Sequence, residues 1–210
     1  MACAVGVIGI LSSFGLFIYA WRWDFYIYFT NLSNYLCIGI LFSELVQTIR
    51  RGEDGFITVC PAIKFLGMVS IAVTFLVFNF VLAPYRAPEL NFAANSILLH
   101  VAVPALYIGD WFLFYERKKA KWTYPLISVS FPVCYVAFVY IHAALRGFDT
   151  SVLDFNGTGP FIYPYFFLNP EILGEAGVAV CIAALAVGFI GLGYLFFGLD
   201  KVSIKKRKGK

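Results

Sequence analysis

Six apolar runs follow one another along the chain, at residues 1–20, 25–47, 62–83, 92–114, 124–145 and 177–199. A bilayer-crossing helix needs about 20 predominantly apolar residues, and none of the runs alternates polar with apolar as a half-buried strand does. The pattern predicts six membrane-spanning helices. Short polar connections at 21–24, 48–61, 84–91 and 115–123 separate the first five, and one longer segment, 146–176, precedes the sixth. No stretch remains for a separate soluble domain. Residues 1–210 are expected to form one all-α, polytopic membrane domain, a six-helix bundle.

Polar side chains inside those runs are few, which makes them informative. The second run contains YIYFTNLSNYL at 26–36, with Thr30, Asn31 and Asn34 set among apolar and aromatic neighbours. Where lipid replaces water, such groups must find hydrogen bonds in the protein, so they face a bundle interior or a cavity. Thr30 and Asn34 stand one helical turn apart on one face, with Asn31 beside them.

Composition agrees with the runs: 61% of residues are hydrophobic, 19% aromatic and 13% charged, against about a quarter charged in soluble domains. The net charge of +4 matters less than where the charges lie. With both termini cytoplasmic, the inner side receives Arg50, Arg51, Lys64, Arg117, Lys118, Lys119, Lys121 and the basic residues from Lys201 onward, 13 of the 16 in the chain. Arg22, Arg86 and Arg146 remain outside. Cytoplasmic flanks accumulate Lys and Arg, so charge and an even helix count agree. The closing KKRKGK at 205–210 reads as the same signal with attraction to anionic lipid, and nucleic acid is not an expected partner. The first run has no basic residue ahead of it, so a retained helix is expected rather than a cleaved signal. Cys3, Cys37, Cys60, Cys134 and Cys181 show no metal-binding spacing and read as packing residues.

This orientation collects the rare polar groups at one depth. At 1.5 Å per residue, Thr30 lies about 7 Å below the outer end of its helix, His100 about 12 Å and His142 about 5 Å. Those are the two histidines of the chain, and Asn79 joins them near the outer end of the third run. The 146–176 segment contains Pro160, Pro164 and Pro170 with Phe161, Tyr163, Tyr165, Phe166 and Phe167 between them. Proline opposes a spanning helix and aromatics favour the interface. Two readings fit, a flap over the site or an aromatic anchoring belt. Asn156-Gly157-Thr158 matches a glycosylation sequon on the outer side.

A threonine hydroxyl becomes a useful nucleophile when a neighbouring base takes its proton, and histidine suits that role near neutral pH. Thr30 and His100 meet the depth requirement within about a turn. Asn31, Asn34, His142 or Asn79 could bind substrate or hold the oxyanion formed on a carbonyl. Asp110, a possible supporting acid, is about 15 Å deeper than His100 on the same helix, so a dyad is expected, and Asp110 either pairs with a base such as Lys64 or reaches the headgroups. With two histidines and few carboxylates at that depth, neither a metal nor another cofactor is expected. Competing readings rest on ordinary packing: membrane Thr bonds its own backbone, and Asn holds helices together.

Around Tyr28-Phe29-Thr30-Asn31-Leu32, around 95–104 with its His100 and Pro104, and around Tyr140-Ile141-His142 followed by Ile162-Tyr163-Pro164, the chain resembles the androgen-induced and androgen-dependent family of multi-pass membrane proteins and its small bacterial relatives. The resemblance runs through helices two to five and the outer segment. It implies a helical-bundle hydrolase that cleaves fatty acid esters of hydroxy fatty acids, with Thr30 as nucleophile and His100 as its base. It matches His142 to a histidine-containing stretch and Asp110 to a position where relatives carry an acid. Asn31 stands where animal members carry another polar residue, and the outer segment is longer here. A lipid ester is thus the expected partner, in a bacterial plasma membrane or, in a eukaryote, the endoplasmic reticulum. Two other functions remain open at this stage: a small-solute transporter or channel, and a non-enzymatic membrane regulator, each using the polar cluster as a binding site. Transport that survives loss of the Thr30 hydroxyl would mark the first, and dependence on the outer aromatics rather than on Thr30 or His100 the second.

Overall fold

The computed structural model describes residues 2–15, 26–51, 58, 60–85, 87–115, 118–146 and 162–202. Among the described residues there are helices and no strand. The principal ones are α1 Ala2–Ser13, α2 Phe29–Arg51, and α3 Pro61–Tyr85, α4 Ala94–Phe114, α5 Tyr124–Leu145 and α6 Pro170–Lys201. By length and composition α2 to α6, five helices, can each cross a membrane. α1 has 12 residues, about 18 Å at 1.5 Å per residue, short of a bilayer core. The expected first run extends to residue 20, and residues 16–25 lie outside the described residues, as do 147–161 with the sequon.

α3 forms the middle of the bundle and touches α2, α4, α5 and α6. Its run from Lys64 to Thr74 is almost wholly buried, packed with Cys37 and Leu41 of α2, Tyr107 and Trp111 of α4, and Phe189 and Phe196 of α6. The outward faces stay apolar: Phe80, Leu113, Val180 and Val187 are all exposed. A helix hydrophobic on every side suits a lipid surround, since exposed apolar surface costs about 25 cal/mol per Å² in water.

α5 and α6 approach closely at one end only. A Cβ on Gly193 would stand 3.0 Å from the Pro125 backbone, so glycine is what permits this crossing. Further along, α5 diverges from its neighbours, and aromatic side chains fill part of the gap: Phe29 packs on Phe131, Tyr135 and Phe189.

Three prolines disturb the helices near this gap, and each does so within the preceding turn. A proline cannot donate to the carbonyl four residues back, and its ring crowds that carbonyl. Pro84 follows a π-helical turn at Phe78–Leu82, Pro104 follows another at Leu98–Ala102, and Pro132 follows a break between Ser128 and Ser130.

α6 starts earlier than the sequence pattern predicts, at Pro170 rather than residue 177. The Asn169 side chain accepts the Glu171 N–H at 2.9 Å, and Pro170 occupies the first turn, where its missing N–H costs nothing. Gly174, at φ 67° and ψ 164°, then kinks the chain before the long apolar stretch. The described part of the outer segment, 162–169, folds inward: Phe167 and Leu168 are buried, and Tyr140 donates its hydroxyl to the Leu168 carbonyl at 3.0 Å.

The opposite end carries the buried charges. Lys64, fully buried, lies 2.6 Å from Glu44 and 2.6 Å from Asp110, tying α3 to α2 and α4. The buried Asp200 carboxylate accepts the backbone N–H groups of Lys118 and Ala120, each at 3.1 Å, and Lys201 Nζ donates to the Ala120 carbonyl at 2.7 Å. Lys118 holds a left-handed φ of 66°, a conformation these bonds stabilise. Replacing Asp200 with Ala strands the Ala120 N–H, at about 1–3 kcal/mol, while the Lys118 N–H keeps the Asp200 main-chain carbonyl at 3.2 Å. Thermal melting in detergent should fall accordingly, with Asp200→Asn, which keeps one acceptor, losing less.

Candidate active site

The start of α2 places three polar groups, Thr30, Ser33 and Asn34, within about one turn, and the structure assigns each a different task. Ser33 Oγ donates to the Thr30 carbonyl at 2.9 Å and lies 2.8 Å from Thr74 Oγ1, joining α2 to α3. Asn34 Nδ2 donates to the Thr30 carbonyl at 2.7 Å and across to the Leu99 carbonyl at 3.2 Å. Leu99 sits inside the α4 π turn, whose widened backbone leaves its carbonyl to be met by a side chain. Asn34 is therefore a brace: both its N–H groups go to backbone carbonyls, and neither remains for the oxyanion role expected of it.

Thr30 itself turns toward α4. Its Oγ1 lies 3.3 Å from His100 Nε2. On the other side of the ring, His100 Nδ1 lies 2.9 Å from the Ser96 carbonyl, an oxygen that can only accept. With the hydrogen on Nδ1, the tautomer that satisfies this carbonyl, Nε2 presents its lone pair to the threonine hydroxyl; the Ser96 hydroxyl, 3.4 Å from Nδ1, makes a longer contact. The ring is held flat against Phe78, with centroids 3.5 Å apart and planes 11° from parallel. Both partners of that stack belong to π turns, the feature set up by Pro84 and Pro104. A histidine fixed in tautomer and plane, one hydrogen bond from a hydroxyl, can take that hydroxyl's proton. The orienting acceptor is a main-chain carbonyl one turn back on the same helix.

The other predicted residues divide. Asn31 is buried at the Thr30 turn. His142 stands apart from the pair, with Nε2 2.6 Å from the Tyr26 hydroxyl and its ring against Tyr26 and Phe138. Asn79 donates to the Phe75 carbonyl of its own helix at 2.8 Å. Asp110 lies ten residues beyond His100, committed to Lys64. Glu44, the third member of that charged group, carries no sequence signal beyond being an acid in an apolar run.

No family model matches the chain, and no curated protein or solved structure matches it. The chemistry of the site rests on its own geometry.

Thr30 forms part of the wall of a cavity of about 170 Å³ between α2, α3, α5, α6 and the 162–169 segment. Apart from Thr30, Thr74, Tyr135 and Tyr165, its lining is apolar, with Val73, Phe78, Val136, Leu185 and Phe189 representative. Val133 of α5 lines it and is also more than half exposed, so the cavity opens sideways out of the bundle. An apolar cavity of about 150 Å³ excludes water and accepts small hydrocarbons.

Tyr165 is the residue the sequence did not single out. It lines the cavity with Thr30, and its ring stacks on Phe167 at 4.9 Å and meets Tyr28 edge-on at 5.8 Å. Burial pushes its phenol above the usual tyrosine range, while the Thr30 side chain and the Thr30 and Phe29 backbone pull it partly back. The phenol thus keeps its proton through neutral pH and is available as a donor. It stands at the N-terminus of α2, where Tyr28 O takes the Asn31 and Leu32 N–H groups and the N–H groups of Phe29 and Thr30 precede the first helical bonds.

Proposed function

We propose that the chain is a membrane-embedded lipid ester hydrolase with Thr30 as nucleophile and His100 as general base. The observation that carries the reading is the Thr30 Oγ1 to His100 Nε2 contact of 3.3 Å, with Nδ1 anchored on the Ser96 carbonyl, at the wall of an apolar cavity. On this reading the chain crosses the membrane six times, the first time in the apolar run 1–20, with both termini cytoplasmic. The clustering of Lys64, Lys118 and Lys201 at the end away from Thr30 supports that orientation.

In the reaction, Thr30 Oγ1 attacks the ester carbonyl as its proton passes to His100 Nε2. The oxyanion is held by the Tyr165 hydroxyl, whose oxygen takes the Phe29 and Thr30 N–H groups at the α2 N-terminus, so the donor is oriented before the charge develops. His100 returns the proton to the departing alcohol oxygen, leaving an acyl-threonine. Water then attacks, its proton goes to Nε2, and the carboxylic acid and the free Thr30 hydroxyl are restored. Resemblance to the androgen-induced and androgen-dependent family suggests fatty acid esters of hydroxy fatty acids, or a related lipid ester, as substrate.

The test is hydrolysis of such an ester and of a nitrophenyl acyl ester by detergent-purified protein; inactivity on every ester overturns the reading. Tyr165→Phe separates the oxyanion role from packing. Losing one such donor costs about 10²-fold or more in kcat, with KM and melting temperature little changed because the ring remains. A variant with wild-type kcat would remove Tyr165 from the mechanism.

A further inference from the structure

We infer that the cavity beside Thr30 is a saturated acyl-chain site of fixed depth, floored by Phe189 and Val129, that selects acyl groups of about eight to ten carbons. The inference rests on the hydrolase reading for its chemistry, since it places the acyl carbonyl at Thr30, but its geometry is independent.

α5 and α6 run antiparallel, so that Val129 and Phe189 lie at the same deep end of the cavity, toward the Pro125 and Gly193 crossing. Phe189 is buried, and its ring meets Phe29 edge-on at 5.9 Å, closing the floor. From Val136 to Val129 along α5, and from Ile182 to Phe189 along α6, the lining runs seven residues, about 10 Å at 1.5 Å per residue. An extended chain advances about 1.2 Å per bond, as a stretched backbone does over its three bonds per residue, so this depth accommodates eight to ten carbons. Thr30 lies with Tyr135 and Tyr165 away from the floor residues Val129 and Phe189, which are apolar, while the Thr74 hydroxyl, near the Lys64 end of the α3 lining, is tied to Ser33 Oγ. A carboxyl head at Thr30 with a hydrocarbon tail toward Phe189 matches that distribution. Each methylene seated adds about fourfold in affinity until the floor is reached, after which further carbons gain nothing and must bend.

Two lining residues set the length. Ala186 is one turn above Phe189, about 4.5 Å nearer Thr30, so Ala186→Phe shortens the site; Phe189→Ala removes its floor.

The experiment is native mass spectrometry of the detergent-solubilised full chain mixed with equimolar saturated fatty acids from butanoate to hexadecanoate. The p-nitrophenyl esters of the same acids are assayed alongside. Wild type and Thr30→Ala should both retain octanoate and decanoate in preference to the shorter and longer acids, with Ala186→Phe shifted to shorter chains and Phe189→Ala to longer ones. The absence of a length optimum, or the same optimum in wild type and Ala186→Phe, overturns the inference; should Phe189→Ala not fold, Ala186→Phe decides alone. A length optimum in binding without hydrolysis of any matched ester upholds the acyl site and defeats the hydrolase reading. Hydrolysis with no length preference does the reverse.

Discussion

Thr30→Ala is expected to abolish ester hydrolysis, lowering kcat/KM by at least about 10³-fold while leaving the protein folded. Removing the nucleophile of a coupled nucleophile and base costs about as much as removing the whole unit. Retained folding follows from how α2 is tied down. Ser33 and Asn34 bond to the Thr30 carbonyl, not to its side chain, so the braces to Thr74 and Leu99 survive the substitution. His100→Ala should lose about 10²- to 10⁴-fold, the usual share of general-base catalysis. Thr30→Ser keeps an oxygen near the same place and should retain measurable turnover. Steady-state kinetics on one nitrophenyl ester, with melting temperatures for each variant, checks all three. Wild-type turnover by Thr30→Ala would return the polar cluster to the role of binding site or helix brace.

The second large effect is on stability. Lys64→Met should destabilise the protein by about 3–5 kcal/mol, because it leaves Glu44 and Asp110 facing each other without their shared cation. Lys64 Nζ lies 2.6 Å from both carboxylates. Besides Lys64, only the Thr58 side chain stabilises the Glu44 carboxylate among the described residues. For a chain of this size the corresponding fall in melting temperature is about 10 °C. Adding Glu44→Gln and Asp110→Asn to Lys64→Met removes the uncompensated charges and should recover most of that loss. Turnover per folded molecule should be unchanged, since Asp110 is about 15 Å along α4 from His100. A Lys64→Met variant as stable as wild type would mean that the carboxylates are neutral in the fold.

Helical architecture was readable because the apolar runs are long and the polar interruptions few. That Thr30 and His100 share a depth was readable, as was the separation of Asp110 from His100, with Lys64 as one of two candidate surroundings for Asp110. Features that depend on rotation about a helix axis were not readable. Asn34 and Thr30 share a face, yet the π turn at Leu98–Ala102 offers the Leu99 carbonyl to Asn34 and His100 to Thr30. Pro104 marks that turn in the sequence, but an open helical turn can rotate its side chains in more than one way. The Ser96 carbonyl that orients His100 is a main-chain group and has no residue-type signature. Tyr165 was hidden among aromatics that all read as interfacial, and the fold distinguishes it by seating 162–169 against α5. The cavity likewise arises from a contact, Gly193 on Pro125, between residues far apart in the chain.

The most direct test of Thr30 as nucleophile is covalent trapping. The wild-type protein is incubated with an alkyl fluorophosphonate, digested, and the adduct located by mass spectrometry. The account predicts the phosphonyl mass on Thr30, its absence from Thr30→Ala, and much slower labelling of His100→Ala. An adduct on another residue, with Thr30 unmodified and hydrolysis blocked, would contradict it.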